Sequence, residues 1–380
     1  MLGTRGVPAT YSGFETCVEQ LGSRLVQRGH QVTVYCRSHH TGKGPRNYRG
    51  MDLVHLPTIP GKYTDTIVHT FLSVVHLALR PSDIVLMFNV GNSPVAWIPR
   101  LLNQKVILNV DGFDWERDKW PVWAKAYIQF CARLATVFPD AIVADSRVIE
   151  SYYLQQFGKE STLIAYGSEV RKAEPGRCLA QYGLVPREYV LFVGRLVPEN
   201  CVHHLVEAFS GLDTSYRCMI VGDAPYAEDY IRWLKSIAGH NVIFTGYVFG
   251  EEYRELGSHA YAFVETSSVG GTHPALLEAM ALGNCVIVND TAANLEVIDD
   301  AGISYVGSEG STGLRRVLAH LMERPQIAED FRHRAEQRAR DCYSWESVTD
   351  DYERLFQQIL GLDMQGLGGD VLRAPPPSSS

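Results

Sequence analysis

The sequence predicts an α/β protein made of two doubly wound domains, each with a parallel sheet covered by helices on both faces. Its 380 residues are too many for one compact core and comfortable for two domains of about 150 residues or more. Apolar residues make up 46% and charged residues 21%, as in ordinary globular chains. Short, nearly continuous apolar runs alternate with helix-like segments, which is the pattern of strands buried on both faces.

The first domain is expected over residues 1–166. A glycine loop at residues 3–6 comes so early that no apolar strand fits before it, so either the chain begins late or the domain tolerates a clipped first strand. Residues 13–29 have apolar side chains at helical spacing, and residues 31–36 alternate as a strand. Further strands, each followed by a helix-like segment, are predicted at 83–88, 105–110 and 140–144.

The second domain is expected over residues 167–342, beginning in a polar stretch, 167–187, that lacks apolar periodicity. A final helix is predicted over 343–361, with Ser344 as its cap, packed back on the first domain. The tail, 362–380, is rich in Gly, Pro and Ser and is predicted to be disordered. The strands predicted for the second domain are 189–194, 218–222, 242–246, 261–264 and 285–288.

The composition excludes some classes of protein. A net charge of −8 argues against a general nucleic-acid binder, although residues 1–165 are mildly basic, with 17 basic and 13 acidic side chains. The eight cysteines include no CxxC pair and several lie in apolar runs, which favours a reducing compartment. No apolar run approaches the ~18 residues of a membrane span, and no signal peptide is recognisable. We therefore expect a cytoplasmic protein.

Two glycine-containing loops precede predicted helices, one reaching Gly13 and one at residues 270–274. Backbone amides at helix starts bind anions, although glycine also simply permits a tight strand-to-helix turn. Neither loop has the spacing of a dinucleotide or P-loop motif. Two such loops in two facing domains favour a phosphate-bearing ligand between them.

Two charged residues are candidates for contacting such a ligand. Arg195 follows a predicted strand, so it either points into the crevice and neutralises a diphosphate or forms a surface ion pair. Glu278 lies in an otherwise apolar helix, where a carboxylate either accepts hydrogen bonds from a ribose diol or is satisfied by an ion pair. No DxD or HExxH motif occurs and the histidines are dispersed, so no metal site is predicted. No GxSxG nucleophile elbow occurs either.

Several motifs, in order along the chain, resemble family 4 glycosyltransferases of the GT-B fold, which has two Rossmann-like domains facing a central cleft. In the second domain they are residues 194–196 (GRL), 270–283 (GGTHPALLEAMALG) and 291–297 (TAANLEV). Residues 3–36, 110–120, 195–200 and 221–226 look more specifically like the DUF1972 subgroup, which includes rhamnosyltransferases. The resemblance covers residues 1 to about 360.

This resemblance implies a nucleotide-sugar donor held by the second domain and an acceptor bound by the first. It implies retention of anomeric configuration, no cofactor and no metal, with the leaving phosphate helping to deprotonate the acceptor. The catalytic residues carried over are Arg195 at the diphosphate, Glu278 at the ribose, and Asp111. The donor-binding residues carried over are Gly13, Arg195, Asn200, Tyr247, Val248, Gly270, Gly271, Thr272, His273 and Glu278.

The chain departs from the family pattern at four positions. Gly270 stands where the first of two glutamates is usual, and the nearest upstream acid is Glu265. Asn200 replaces a lysine and Asp111 a histidine, and both replacements look typical of the subgroup. Ser268 replaces an acid of the subgroup, which puts the contacts to the donor sugar in doubt.

Residues 115–138 are aromatic and basic. Such a stretch either lies on an anionic membrane surface or forms a core-packed helix with a solvated basic face. A lipid-linked acceptor would favour the membrane surface.

We therefore expect a metal-independent, retaining hexosyltransferase that moves a sugar, with L-rhamnose from dTDP-rhamnose as the specific candidate, to a glycan or lipid-linked acceptor in bacterial surface polysaccharide synthesis. It would work in the cytoplasm, either free or at the inner face of the cell membrane. Two alternatives remain open: a nucleotide-sugar epimerase or hydrolase of the same fold, and a catalytically silent subunit that binds a partner transferase.

Overall fold

Two α/β domains follow one another along the chain. The computed structural model describes residues 1–9, 13–42, 44–61, 64–110, 112–116 and 120–362. The predicted disorder of the tail after residue 362 therefore concerns residues outside the described part of the chain.

The first domain contains seven strands and six helices among its described residues, joined in places by 3-10 turns. In order they are α1 (Gly13–Gln27), β1 (Thr33–Arg37), α2 (Ser38–Thr41), β2 (Asn47–Tyr48), β3 (Met51–Leu56), α3 (Asp65–Leu77), β4 (Ile84–Phe88), a 3-10 helix (Val90–Val95), α4 (Trp97–Leu101), β5 (Lys105–Val110), a 3-10 helix (Asp114–Glu116), α5 (Val122–Ala135), β6 (Ala141–Ala144), α6 (Arg147–Phe157) and β7 (Thr162–Leu163).

The strands of this domain form two ladders, β1-β3-β2 and β4-β5-β6-β7, which are parallel except for the β2–β3 pair. Residues 1–5 lie between the two ladders and join them. The Leu2 amide donates to Leu86 O, the Phe88 amide donates to Leu2 O, and the Tyr35 amide donates to Met1 O, at 3.0, 3.0 and 3.1 Å. The first strand is thus reduced to a short bridge, but its place in the sheet is filled.

Helices cover both faces of this sheet. Val74 of α3 and Ile128 of α5 share a core with Val85 and Met87 of β4, whereas α1 packs on the opposite face with Leu86 and Phe88. The helices α3, α4 and α5 form one layer, because Val74, Ile98 and Ile128 pack in the same core.

The second domain continues with one six-stranded sheet in the order β10-β9-β8-β11-β12-β13, in which every pair is parallel. Its elements are α7 (Arg177–Tyr182), β8 (Tyr189–Val193), a 3-10 helix (Pro198–Asn200), α8 (Val202–Ser210), β9 (Arg217–Val221), α9 (Glu228–Ile237), β10 (Val242–Gly246), α10 (Gly250–His259), β11 (Ala262–Glu265), α11 (Pro274–Ala281), β12 (Cys285–Asn289), α12 (Ala292–Ile298), β13 (Ile303–Tyr305), a 3-10 helix (Gly307–Glu309), α13 (Gly310–Glu323) and α14 (Pro325–Cys342).

The last helix, α15 (Trp345–Leu360), leaves the second domain and packs on α1 of the first. The Ser344 side chain accepts a hydrogen bond from the Ser347 amide, as predicted for the cap. Arg28 at the end of α1 forms ion pairs with three acids of α15, and the buried Tyr352 hydroxyl accepts a hydrogen bond from Asn109 Nδ2 at 2.8 Å.

The predicted α/β class with two parallel sheets is confirmed, and each predicted strand is present. Three features differ from the sequence analysis. The strands β2, β3, β7 and β13 were not predicted, α7 lies inside the polar stretch 167–187, and Cys342 is exposed whereas six of the eight cysteines are buried. Among the described residues, no helix is both long and apolar enough to cross a bilayer.

Candidate functional site

The carboxyl ends of β8, β9 and β10 approach one another so closely that only backbone fits between them. Gly222 follows β9 with φ of +137°, and a Cβ there would overlap the carbonyl oxygen of Gly194. The Gly222 amide donates to Gly246 O at 2.8 Å. Position 222 therefore requires glycine, because a side chain would overlap the Gly194 carbonyl and because other residues rarely adopt this positive φ. Backbone atoms form the surface at this edge of the sheet.

Arg195 and Asn200 lie in the turn that follows β8. The Asn200 side chain is buried and donates through Nδ2 to the Arg195 carbonyl at 2.9 Å, while the Val197 amide donates to the same carbonyl at 3.0 Å. Asn200 thus fixes the turn that carries Arg195, and it supplies no second cation where the family usually has a lysine. The Arg195 side chain is partly buried at the carboxyl edge of the sheet.

Glu278 lies on α11, where one carboxylate oxygen accepts a hydrogen bond from the Tyr253 hydroxyl of α10 at 2.5 Å. Burial raises the pKa of Glu278 above 4.5, although Tyr253 and the Arg254 charge act in the opposite direction. Burial and the neighbouring carboxylate raise the pKa of Tyr253 well above 10. A phenol, and not an ion-pair partner, therefore holds Glu278, and among the described residues its other oxygen makes no hydrogen bond.

The loop before α11 is held against the first domain. Gly270 has φ of +142°, and a Cβ there would stand 2.9 Å from the His273 ring. The Thr272 hydroxyl donates to the Asp145 carbonyl at 2.6 Å, and a Cβ at Gly271 would overlap the Asp145 carboxylate. Asp145 directly follows β6, so this contact crosses from one domain to the other.

Two more close contacts cross between the domains near this loop. A Cβ at Gly112, just after β5, would lie 2.7 Å from the Gly271 amide nitrogen, and one at Gly13, at the start of α1, would lie 2.6 Å from Pro274 Cγ. The amino-terminal ends of α1 and α11 thus meet across the cleft. Because helix starts carry partial positive charge and unpaired amides, this junction suits an anion.

Sequence reasoning missed Gly112 and Asp145. Asp145 directly follows a predicted strand and Gly112 comes two residues after one, so their place at the carboxyl edge of the first sheet was available from the sequence. Their contact with the second domain was not, because it depends on how the two domains meet.

Tyr247 and Val248 follow β10. Tyr247 is exposed, its hydroxyl donates to Asp223 O at 3.2 Å, and its ring stacks on Phe249 with 5.7 Å between centroids and an angle of 18°. Val248 is partly buried and packs on the core. The pair of exposed rings offers an apolar edge at the place where the family resemblance puts the nucleobase.

Two family models match the chain. Residues 1–169 match DUF1972, a domain of unknown function, and residues 181–341 match glycosyl transferases group 1. Alpha-maltose-1-phosphate synthase of Mycobacterium tuberculosis is 26% identical over 202 residues, which are 49% of this chain and 52% of the relative. O-antigen chain mannosyltransferase B of Escherichia coli is 26% identical over 203 residues, 50% of this chain and 51% of the relative. The chain therefore spans about half the length of the curated relatives it matches.

Solved structures share the arrangement of both domains. Sucrose-phosphate synthase from Thermosynechococcus elongatus has a TM-score of 0.80 at 18% identity, over 96% of this chain and 98% of that one. Anabaena HepE in complex with UDP-glucose has a TM-score of 0.76 at 16% identity, over 92% and 98%. The chain has the GT-B fold. The two family models divide the chain between its two domains, and neither alone covers half of it.

In this GT-B chain the predicted site residues fall on both sides of one cleft. Arg195, Asn200, Tyr247, Val248, the loop from Gly270 to His273, and Glu278 all lie on segments that leave the carboxyl edge of the second sheet, and Gly13 faces them from the first domain. The predicted catalytic residue Asp111 lies outside the described residues. The role of each residue stays a prediction.

The nearest acid upstream of Gly270, Glu265, stabilises the loop that follows β11. The buried Glu265 carboxylate accepts hydrogen bonds from the Ser267 amide at 3.0 Å and from the Ser267 hydroxyl. The Ser268 hydroxyl donates to Glu199 O at 3.0 Å. Glu265 is therefore committed to the end of β11 and does not stand in for the glutamate absent at Gly270.

A cavity of about 530 Å³ lies beside the Arg195 turn of the GT-B second domain, lined by residues 197–199 and 225–230. Its lining includes the acids Glu199, Glu228 and Asp229, and the rings of Tyr226 and Tyr230. Three carboxylates repel a diphosphate, so this cavity suits hydroxyl-bearing or apolar groups. Its lining includes no residue of α1 or α11, so it is separate from the junction where these two helices meet.

One group of side chains in the first domain has the composition of a metal site. His39 and His40 of α2 each place a ring nitrogen 3.5 Å from an oxygen of Asp65, at the carboxyl end of β1. Arg37 donates to the same carboxylate at 2.7 Å, so Asp65 already has a cationic partner. The sequence analysis treated the histidines as dispersed and missed this group, although the adjacent His39–His40 pair was its visible signal.

Proposed function

We propose that this protein is a retaining glycosyltransferase that takes its sugar from a nucleotide-sugar donor and needs neither a metal nor a cofactor. The observation that carries the proposal is the meeting of the starts of α1 and α11 across the cleft, next to Arg195 and Glu278. β8 and β11 are neighbours in the sheet, so the Arg195 turn and the Gly270 loop leave it side by side.

In this proposal the cleft stabilises charge on the leaving diphosphate. The guanidinium of Arg195 and the amides at the two helix starts supply positive charge where the nucleotide diphosphate would leave. The bond from the anomeric carbon to the diphosphate breaks, and a bond to the acceptor oxygen forms on the same face. The acceptor hydroxyl proton passes to a phosphate oxygen, so no protein carboxylate is required as base.

Glu278 would bind the ribose of the donor. Tyr253 orients the carboxylate through one oxygen, which leaves the other for a ribose hydroxyl. Tyr247 and Phe249 would border the base. The solved GT-B neighbour that carries UDP-glucose supports a nucleotide sugar as the class of ligand.

Within this class we propose L-rhamnose from dTDP-rhamnose as the first donor to test, with a glycan or lipid-linked acceptor on the first domain and a role in bacterial surface polysaccharide synthesis in the cytoplasm. The choice of donor rests on the resemblance to the rhamnosyltransferases of the DUF1972 subgroup, and a curated relative named for an O-antigen chain supports the choice of process.

The test begins with a panel of nucleotide sugars. A donor that binds only the folded state raises the thermal midpoint by mass action, and transfer is then measured with that donor. Arg195→Gln and Glu278→Gln should each lower transfer by about 100-fold or more while the fold is kept. Arg232→Gln, at an exposed ion pair on α9, is the matched control. Wild-type turnover in both site variants would refute the assignment.

Other outcomes of the same panel identify the alternatives. Isomerisation or hydrolysis of the donor without acceptor would indicate an epimerase or hydrolase. Absence of nucleotide-sugar binding by calorimetry would indicate a silent partner subunit. Loss of transfer in EDTA, restored by a divalent cation, would contradict metal independence.

A further inference from the structure

Helix α3 is apolar on its outward side as well as on the side that faces the core, where Val74 and Leu77 are buried. Its exposed positions are occupied by Ile67, Phe71 and Val75, which are 39–49% exposed. His69 and Ser73, in contrast, are fully buried. An ordinary surface helix buries its apolar stripe and exposes its polar residues. A second apolar stripe of α3 therefore faces outward at a spacing of four residues, as expected of a helix that is covered by something outside the chain.

Helices α4 and α5 extend this apolar surface in the same layer. Leu101 at the end of α4 is 74% exposed, and Trp123 and Phe130 of α5 are more than half exposed. The Arg100 guanidinium donates to the carbonyls of residues 137 and 138 at 3.3 and 2.8 Å, which ties the end of α4 to the end of α5. We call the outward side of α3, α4 and α5 the helical face.

The helical face is also basic. Arg80, Arg100, Lys105, Lys125 and Arg133 lie on or just beyond these helices. Residues 97–110 and 120–139 contain no acid, and the single acid of α3 lies at its first position, paired with Arg37. Arg100 and Lys105 each lie 3.6 Å from the carboxylate of Asp140, at the edge of this face. Over residues 66–110 and 120–140 together, five basic residues accompany two acids, Asp83 and Asp140, so the charge beside the exposed apolar side chains is positive on balance.

We propose that the helical face docks on an anionic membrane surface. Aromatic and aliphatic side chains enter the interface between headgroups and acyl chains, and the basic side chains pair with lipid phosphates. A symmetric dimer through this face is disfavoured, because a two-fold axis would set the same positive charges against each other. The proposal goes beyond the proposed transfer reaction and is independent of it, since binding to vesicles needs no donor.

The surface differs from the one that the sequence indicated. Trp115 packs against Phe113 and Tyr152, and Trp120 and Tyr127 pack against the core of the first domain. Phe138 packs against the same core, so four of the six aromatic side chains of this stretch are structural, and the outward apolar stripe of α3 supplies the missing part of the proposed membrane surface.

The experiment is co-sedimentation of the full chain with two kinds of vesicle, phosphatidylcholine alone and phosphatidylcholine mixed with phosphatidylglycerol. We expect binding to the mixed vesicles and weaker binding to the neutral ones. The double variant Phe71→Gln/Phe130→Gln should lower the partition coefficient at least about 10-fold. Arg80→Gln and Arg133→Gln should each lower it about fivefold on mixed vesicles, and less at high salt.

The matched control is Val185→Gln/Trp233→Gln, which removes two apolar side chains of similar exposure from the second domain and should bind like the wild type. Circular dichroism and the thermal midpoint verify that each variant is folded. Equal loss in the control, or failure of the wild type to bind mixed vesicles, would overturn the proposal. A dimer that becomes a monomer in the Phe71→Gln/Phe130→Gln variant would overturn it too, by assigning the face to protein contact.

Discussion

Replacing Gly112 with alanine adds one methyl group at the contact between the two domains. Its Cβ would stand 2.7 Å from the Gly271 amide nitrogen and 3.0 Å from the Gly270 carbonyl carbon, whereas ordinary contacts lie at 3.4–4 Å. The opposing atoms are backbone, so no rotamer change relieves the overlap. Only a separation of the two domains does.

Overpacking of this kind costs about 1–3 kcal/mol, and here the cost falls on the arrangement in which the domains touch. If transfer requires that arrangement, kcat/KM should fall by about 5-fold to about 150-fold. The core of each domain is unchanged, so thermal unfolding should change little. Steady-state transfer and small-angle X-ray scattering, which reports domain separation, are the measurements.

Gly44→Ala is the control, because its Cβ would meet only atoms of the first domain, the nearest 3.2 Å away. It should leave both transfer and scattering unchanged. Wild-type kcat/KM together with a wild-type scattering curve for Gly112→Ala would refute the inference that the contact between the domains belongs to the active arrangement.

Three further predictions concern individual side chains. Burial opposes ionisation of Glu255, but hydrogen bonds from the backbone amides of residues 176, 178 and 179 outweigh it and lower the pKa of this carboxyl group. The stability that the ionised carboxylate gives to the folded state should therefore be present above about pH 4.5 and lost as the pH falls through the lower pKa of the folded state. Glu255→Gln should flatten this part of the pH profile of urea unfolding. Tyr352→Phe leaves the buried Asn109 amide without its partner and should lower the free energy of unfolding by about 1–3 kcal/mol in urea titrations. Burial raises the pKa of Glu278 above 4.5. The free energy of unfolding should therefore fall as the pH rises from 4.5 through the raised pKa of the folded state, whereas donor affinity measured by calorimetry should rise over the same range. Glu278→Gln, which keeps an acceptor for Tyr253, should show neither change.

Nine of the thirteen strands among the described residues could be predicted, because each is a short apolar run bounded by turns. Of the other four, β2, β3, β7 and β13, the most instructive is β3. Asp52 and His55 interrupt its pattern, and it becomes a strand by pairing with β1 across residues 38–50. Such long-range pairing is not encoded in local periodicity.

Some residues of the candidate site could likewise be predicted from the sequence, and others could not. Arg195 could be placed at the carboxyl edge because it follows a strand, and Glu278 could be placed because it interrupts an apolar helix. The partner of Glu278, Tyr253, lies 25 residues away on another helix and has no sequence signal. The outward apolar stripe of α3 was also missed, because periodicity shows that a helix has apolar sides without showing which of them is exposed.

The path of α15 has a consequence for how the chain matures. Trp345, Val348 and Leu355 are buried against the first domain's side of the molecule, and the crossing segments meet where the Ser168 amide donates to the Tyr343 carbonyl. This face of α1 is therefore covered by residues that a ribosome makes after the whole second domain. The domain that begins the chain completes its core after the domain that follows it, and a fragment ending at residue 169 would emerge with that face bare.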